Sequence, residues 1–268
     1  MDRKFNLLRY HDNVYSENGE DGIIEYLIKK LCLNEIQCCE FGAWDGMKFS
    51  NTFNLVKNYN ARAVYIEGDE SKYLDLLQTC KKYPNIVPIK KFISAANNEN
   101  SIDQVLSKTF LKKNFEILSI DVDSNDLEIF ETMKDYHPKI VIIEISSDLG
   151  SNISNRYSKD SKNLDSNDEP YVASFRSVAE VCKIKEYTIV AHTGNLILVH
   201  NQFLDKINFP KYLIENPKIL FSNRYKLNNL FLNKKKNFFI MILSFTTKKL
   251  YKLLPKNIQE RLKDTFLL

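Results

Sequence analysis

The fold this sequence predicts is an α/β sheet, mostly parallel and closed by an antiparallel hairpin, with a basic helical appendage after it. Three observations predict it. Short apolar runs alternate with helical segments up to residue 145; two β-type runs near residue 193 are divided only by Thr193-Gly194; and from residue 211 onward the charge turns strongly positive.

In chain order, a polar start reaches Ser16-Glu17-Asn18-Gly19-Glu20-Asp21-Gly22. It leads into residues 23–31, where Ile23, Ile24, Leu27, Ile28 and Leu31 recur at helical spacing. The acidic and amide groups at this entrance either cap the helix or grip a ligand. Strand-like runs follow at residues 38–41, 63–66, 86–89, 116–120 and 140–145, with helical segments at 51–58, 72–81, 101–107 and 126–134 between them. Such alternation predicts a parallel sheet covered on both faces. Residues 186–192 and 195–199 then form a hairpin across Thr193-Gly194. A parallel sheet with that ending is the mark of the Rossmann-like class I methyltransferase fold, whereas nicotinamide-binding folds usually finish on another parallel strand.

Length and composition set the frame. A chain of 268 residues with 44% hydrophobic content holds one large α/β domain, expected over residues 1–210, and an appendage over 211–268. Its five cysteines (Cys32, Cys38, Cys39, Cys80, Cys182) are odd in number and show no Cys-x-x-Cys spacing, so neither a disulfide framework nor a zinc site is expected. A reducing cytoplasm is the expected location. No apolar leader core stands in the first twenty residues and no run reaches the roughly 18 apolar residues of a membrane span, so neither secretion nor a transmembrane anchor is expected. From residue 211 on, thirteen Lys and Arg stand against three acids; that +10 within a total of +4 leaves −6 for residues 1–210. An acidic domain argues against nucleic acid as substrate, because phosphate-backbone contacts need a basic groove.

The most informative stretch is Cys38-Cys39-Glu40-Phe41-Gly42-Ala43-Trp44-Asp45-Gly46. It breaks a strand into a loop whose glycines let the backbone turn and approach a ligand, with Glu40 as hydrogen-bond acceptor at the strand end. The spacing Glu-x-Gly-x-x-x-Gly is not the Gly-x-Gly-x-x-Gly of pyrophosphate-binding loops. A cofactor without pyrophosphate, such as S-adenosylmethionine (SAM), fits better. Glu67-Gly68-Asp69 ends the second run 27 positions after Glu40, where a carboxylate meets ribose hydroxyls; Asp69 also suits a helix N-cap. Trp44 either contacts the cofactor or packs beside the turn.

A second cluster, Asp121-Val122-Asp123-Ser124-Asn125-Asp126, crowds carboxylates that a cation, hydrogen bonds or raised pKa values must relieve. It lacks the glycine and the terminal Glu of a calcium-binding loop. Asp121, Asp123 and Glu144 sharing one Mg²⁺ or Mn²⁺ is one reading, and a hydrogen-bonded turn that caps the next helix is the other. Methyl transfer to a hydroxyl needs a base, for which Asp121, Glu144 and His192 stand at or near strand ends; His192 also reads as a turn residue. Residues 146–170 are polar and too long for a tight connection, hence either a substrate lid or a disordered loop.

Taken together, Ser16 to Gly22, Glu40 to Gly46, Glu67-Gly68-Asp69, Ser119-Ile120-Asp121-Val122-Asp123 with Asn125-Asp126, and Pro138-Lys139-Ile140-Val141 through Glu144 resemble the FkbM-like branch of SAM-dependent methyltransferases. The resemblance covers residues 10–205 and is strongest to bacterial relatives of surface-polysaccharide pathways. It implies SAM as methyl donor, with Glu40, Gly42, Ala43 and Gly46 around its methionine part, Glu67 and Gly68 at the ribose, Asp121 beside the cofactor and the segment around Glu20 folded over the site. The sequence departs from that pattern at Ser124, where Gly is common, and at Glu40, where Asp is the more frequent acid. The implied acceptor is a sugar hydroxyl of a capsule or lipopolysaccharide precursor, a nucleotide-linked sugar or glycan. Alternatives are a phosphate or phosphoramidate group on such a glycan, or a nonenzymatic scaffold of polysaccharide assembly.

In residues 211–268, the run Lys234-Lys235-Lys236, the apolar stretch 238–245 and Lys248-Lys249 make a cationic amphipathic segment. It suits either peripheral contact with the inner membrane surface or packing on the domain or on a second copy in a homodimer.

Overall fold

The computed structural model describes residues 5–122, 125–156 and 173–221. The expected membrane or dimer contact of the basic tail falls almost wholly outside them, as do Asp123 and most of the expected lid. Met1–Ser222 form one compact unit. Among the described residues no helix is long and apolar enough to cross a membrane.

Seven strands, β1 (Gln37–Phe41), β2 (Arg62–Glu67), β3 (Ile86–Lys90), β4 (Ile117–Ile120), β5 (Ile140–Ile143), β6 (Tyr187–His192) and β7 (Leu196–His200), form one sheet in the order β3-β2-β1-β4-β5-β7-β6. The first five run parallel, and β7 lies antiparallel between β5 and β6. This order, with its inserted antiparallel strand, is that of the class I methyltransferase fold.

Strands bury both faces because successive side chains point to opposite sides and both sides are apolar. Cys38, Ala63, Tyr65, Ile117 and Ile140 enter one core. Their neighbours Cys39, Val64, Ile66, Leu118 and Val141 enter the other. Helices α1 (Glu20–Leu31), α2 (Phe53–Tyr59) and α3 (Glu70–Lys82) cover the first face with Ile23, Leu27, Phe53 and Leu76. Helices α4 (Ile102–Leu106), α5 (Asp126–Thr132) and α6 (Phe175–Lys185) cover the second with Ile102, Leu106, Phe130 and Val178. Each such side chain, fully buried, contributes about 1.5–3 kcal/mol.

Helix α6 is not among the expected elements. Its apolar positions Phe175, Val178, Val181 and Cys182 carry helical spacing, and Ser174 caps it by accepting the Ser177 N–H at 3.3 Å. Residues 211–221, assigned by charge to the tail, pack on this unit. Within α7 (Lys211–Glu215) Leu213 is buried, and beyond it the Phe221 ring stacks on His192 at 4.6 Å.

The register positions the site. Phe41, Ile66, Ile120 and Ile143 lie in one row across four parallel strands. The next residue of each chain path is Gly42, Glu67, Asp121 or Glu144, so these four stand side by side at the C-terminal edge. Strand order reverses there, since β1 is flanked by β2 on one side and β4 on the other. Open α/β sheets bind ligands at such a switch point.

Candidate active site

A cavity of about 460 Å³ opens at this edge, and its walls include Glu40, Gly42, Trp44, Glu67, Gly68, Asp121 and Glu144. Gly42 sits at φ +68°, and a Cβ there would lie 1.7 Å from the carbonyl oxygen of Asp121. The exits of β1 and β4 therefore touch through bare backbone. At Gly46, φ +77°, a Cβ would press on Leu76 and Tyr65. Neither Gly46 nor Ala43, which is buried, is part of the cavity wall. Both shape the loop that brings Gly42 and Trp44 to the wall.

Glu67 joins the two loops above β1 and β2. Its Oε2 accepts the Trp44 N–H at 2.9 Å and its Oε1 the Asp69 N–H at 2.8 Å. A carboxylate offers about four lone-pair sites, so each oxygen keeps one for a further donor. Asp69 caps α3 by accepting the Lys72 N–H at 3.0 Å.

Glu40 is almost wholly buried and tied to the loop that follows. Its carboxylate accepts from the Ser50 hydroxyl at 2.8 Å, the Thr52 hydroxyl, and the Thr52 and Asn51 amides at 3.1 and 3.3 Å. Burial raises its pKa to about 7 in spite of these donors. Its first role is thus to fold residues 50–52 back over β1, while it also forms part of the cavity wall.

Asp121 and Glu144 are half-buried on the same wall, joined by Asn125. Asp126, fully buried, accepts the Val122 N–H at 2.8 Å and closes the turn before α5. Asp123, the third member of the expected metal set, lies outside the described residues. Among those described, no group of three or more His, Cys, Asp or Glu is arranged to hold a metal ion.

Two more of the expected site residues are buried. Glu20 is buried and absent from the cavity wall. Its Oε1 accepts from the Thr193 hydroxyl at 2.7 Å and the Asn195 amide at 3.3 Å, pinning the start of α1 to the β6–β7 turn, and burial raises its pKa. His192 is likewise buried and absent from the wall. Its Nε2 lies 2.8 Å from Ser147 Oγ, its ring packs between Phe221 and Phe175, and burial lowers its pKa to about 4. These contacts build His192 into the core beside the β6–β7 turn.

The acid that the N-terminal segment brings to the cavity is Glu17. The loop carrying it is held from within. Asp21 Oδ2 accepts the successive Val14, Tyr15 and Ser16 amides at 2.9, 2.7 and 2.7 Å, and the Glu17 carbonyl accepts from Asn13 Nδ2 at 2.7 Å. Sequence reasoning missed Glu17 because Gly19, left-handed at φ +91°, turns the chain between the two acids.

The rim is aromatic and cationic. Trp44 and Phe49 hold positive φ of 44° and 59°, which for bulky side chains costs on the order of 1–3 kcal/mol each. Lys48 Nζ lies 4.4 Å from the Trp44 ring centre and 5.1 Å from that of Phe49; Lys72 Nζ lies 5.4 Å from Trp44.

No protein-family model and no curated protein matches the chain. Among solved structures, it is similar to a SAM dependent methyltransferase from Aquifex aeolicus, 13% identical over 72% of this chain and 92% of that one, with a TM-score of 0.40. It is also similar to M. capricolum TrmK in complex with S-adenosyl-homocysteine, 14% identical over 65% and 66% of the two chains, with a TM-score of 0.35. A third is the CurJ carbon methyltransferase, 11% identical, TM-score 0.46, with 72% of this chain covering 56% of that one. Likenesses this distant leave function to be argued from the chain's own residues.

Proposed function

We propose that this protein is a SAM-dependent O-methyltransferase of the FkbM-like kind, acting on a sugar hydroxyl of a capsule or lipopolysaccharide precursor. The observation that carries the reading is Glu67, a carboxylate on the cavity wall at the end of β2, anchored by one backbone amide on each oxygen with acceptor capacity left on both. Two acceptors held at fixed spacing beside a glycine-opened backbone suit the paired hydroxyls of a ribose. The contact between Gly42 and Asp121 leaves this part of the floor without a Cβ.

When bound, SAM supplies an electrophilic methyl group on a sulfonium. Glu67 holds the ribose and the Gly42 backbone lies against the ligand. Glu40, the most buried carboxylate of the wall, has its pKa raised to about 7 by burial, and a cationic ligand beside it would favour its ionised form. Asp121 or Glu144 takes the proton of the acceptor hydroxyl, and Glu17 and Asn125 add hydrogen-bonding capacity suited to a polyol. Orienting the hydroxyl for in-line attack is the larger part of the work, since alignment alone removes much of the barrier of a two-reactant step.

Calorimetric titration of the full chain with S-adenosylhomocysteine tests the reading. Saturable micromolar binding at one site, with no heat from NADH, is expected. Binding of NADH and none of S-adenosylhomocysteine would contradict it.

A further inference from the structure

The cavity wall holds six carboxylates, Glu17, Glu40, Glu67, Asp69, Asp121 and Glu144, and beside them three lysines, Lys48, Lys72 and Lys91. None of them has an ion pair among the described residues. Lys91 Nζ reaches only the Glu99 carbonyl, at 3.4 Å, while Lys48 and Lys72 both stand over Trp44. Asp69 caps α3, accepting from the Lys72 amide and the Ser71 hydroxyl at 3.0 and 2.7 Å, and the Lys72 charge adds to these bonds in lowering its pKa. Both ammonium groups thus stand within 5.4 Å of one ring centre at the cavity rim, and the two positive charges gathered there favour an anion nearby. The strained backbone of Trp44 and Phe49 sets these rings at the cavity with the lysines, and Phe49 remains 48% exposed beside Lys48.

We propose that Lys48 and Lys72, seated over Trp44 and Phe49, bind a phosphate group of the methyl acceptor, so that the acceptor is a phosphate ester, not a neutral glycan. This rests on the methyltransferase reading above, with the floor of the cavity given to the cofactor and the rim to the acceptor. Lysine is a compact point charge on a flexible stem, suited to a phosphate whose position shifts as the acceptor is aligned. Phe49, about half exposed with Lys48 over its ring, adds aromatic surface that a nucleobase can pack against, which makes a nucleoside diphosphate sugar one source of the phosphate and a sugar phosphate the other.

The test uses the full chain saturated with S-adenosylhomocysteine and titrated with UDP, with glucose 1-phosphate and with methyl glucoside. At least one phosphate ester is expected to bind while methyl glucoside does not, and the Lys48→Ala/Lys72→Ala double variant is expected to weaken that binding by at least about tenfold. Affinity for S-adenosylhomocysteine stays within about twofold, since neither lysine is assigned to the cofactor. UDP binding well above glucose 1-phosphate marks the nucleotide source; the reverse marks the sugar phosphate. The inference is overturned if neither phosphate ester binds, if the double variant binds it as well as the parent does, or if the variant loses S-adenosylhomocysteine to the same extent, which would give the lysines to the cofactor's own carboxylate. A parent protein that fails to bind S-adenosylhomocysteine at all sinks the methyltransferase reading instead.

Discussion

Gly42→Ala is expected to remove S-adenosylhomocysteine binding and to lower the melting temperature by roughly 5–20 °C, at ~2–4 °C per kcal/mol for a domain of this size. A new methyl group would meet the Asp121 carbonyl oxygen at 1.7 Å, and the residue would still have to hold φ +68°. Neither atom is the far end of a flexible side chain, so relief requires the exits of β1 and β4 to separate. Strain of about 1–3 kcal/mol and overpacking of about 1–3 kcal/mol combine at this one atom. The movement also displaces Asp121 from the cavity wall, which is why binding is lost along with stability. Gly68→Ala gives the contrast. The three atoms nearest its Cβ would all belong to the ring of Phe92, which is 72% exposed and able to swing away, so a small change in melting temperature is expected. Equal thermal shifts for the two variants would contradict this account of the loop.

The second large effect is expected from Glu67→Ala, read by calorimetry. Losing two charge-assisted hydrogen bonds to the ribose, at about 1.5–3 kcal/mol each, raises the Kd for S-adenosylhomocysteine by ~100-fold or more. The same substitution strips the Trp44 and Asp69 amides of their acceptor, loosening the loops after β1 and β2 together. Glu67→Gln separates the two contributions. It keeps the shape but turns one oxygen into a donor, so one of the two backbone amides loses its partner and an intermediate affinity is expected. A Glu67→Ala protein that melts like the parent and binds within about threefold of it would place the ribose elsewhere.

Much of the fold was legible because its information is local. Apolar runs of four to six residues, too short for a helix and alternating with helical segments, mark strands buried on both faces, and helical spacing of the kind shown by Ile23, Ile24, Leu27, Ile28 and Leu31 marks the covering layers. The hairpin across Thr193-Gly194 was visible, whereas the insertion of β7 between β5 and β6 was not, because strand order is a long-range property. At the site, the residues that end strands were readable: an acid or glycine one step past an apolar run must stand at the sheet edge. What could not be read is which way an acid turns once the chain has left the sheet. Glu17 and Glu20 lie three positions apart, yet one meets the cavity and the other is buried under the β6–β7 turn, a division set by the backbone at Gly19 and by Thr193 and Asn195 far along the chain. The burial of His192 is a similar case, since nothing near it in sequence shows that Phe221 covers its ring. The lysine rim was also silent, as Lys48 and Lys72 reach the Trp44 ring from separate stretches of the chain.

The most direct measurement is a crystal structure of the protein grown with S-adenosylhomocysteine. The account predicts the ribose hydroxyls within hydrogen-bond distance of both Glu67 oxygens and the sulfur of the homocysteine beside Gly42 and Asp121. Adenosine bound away from Glu67, or a cleft between β1, β2 and β4 without ligand at saturating concentration, would contradict it.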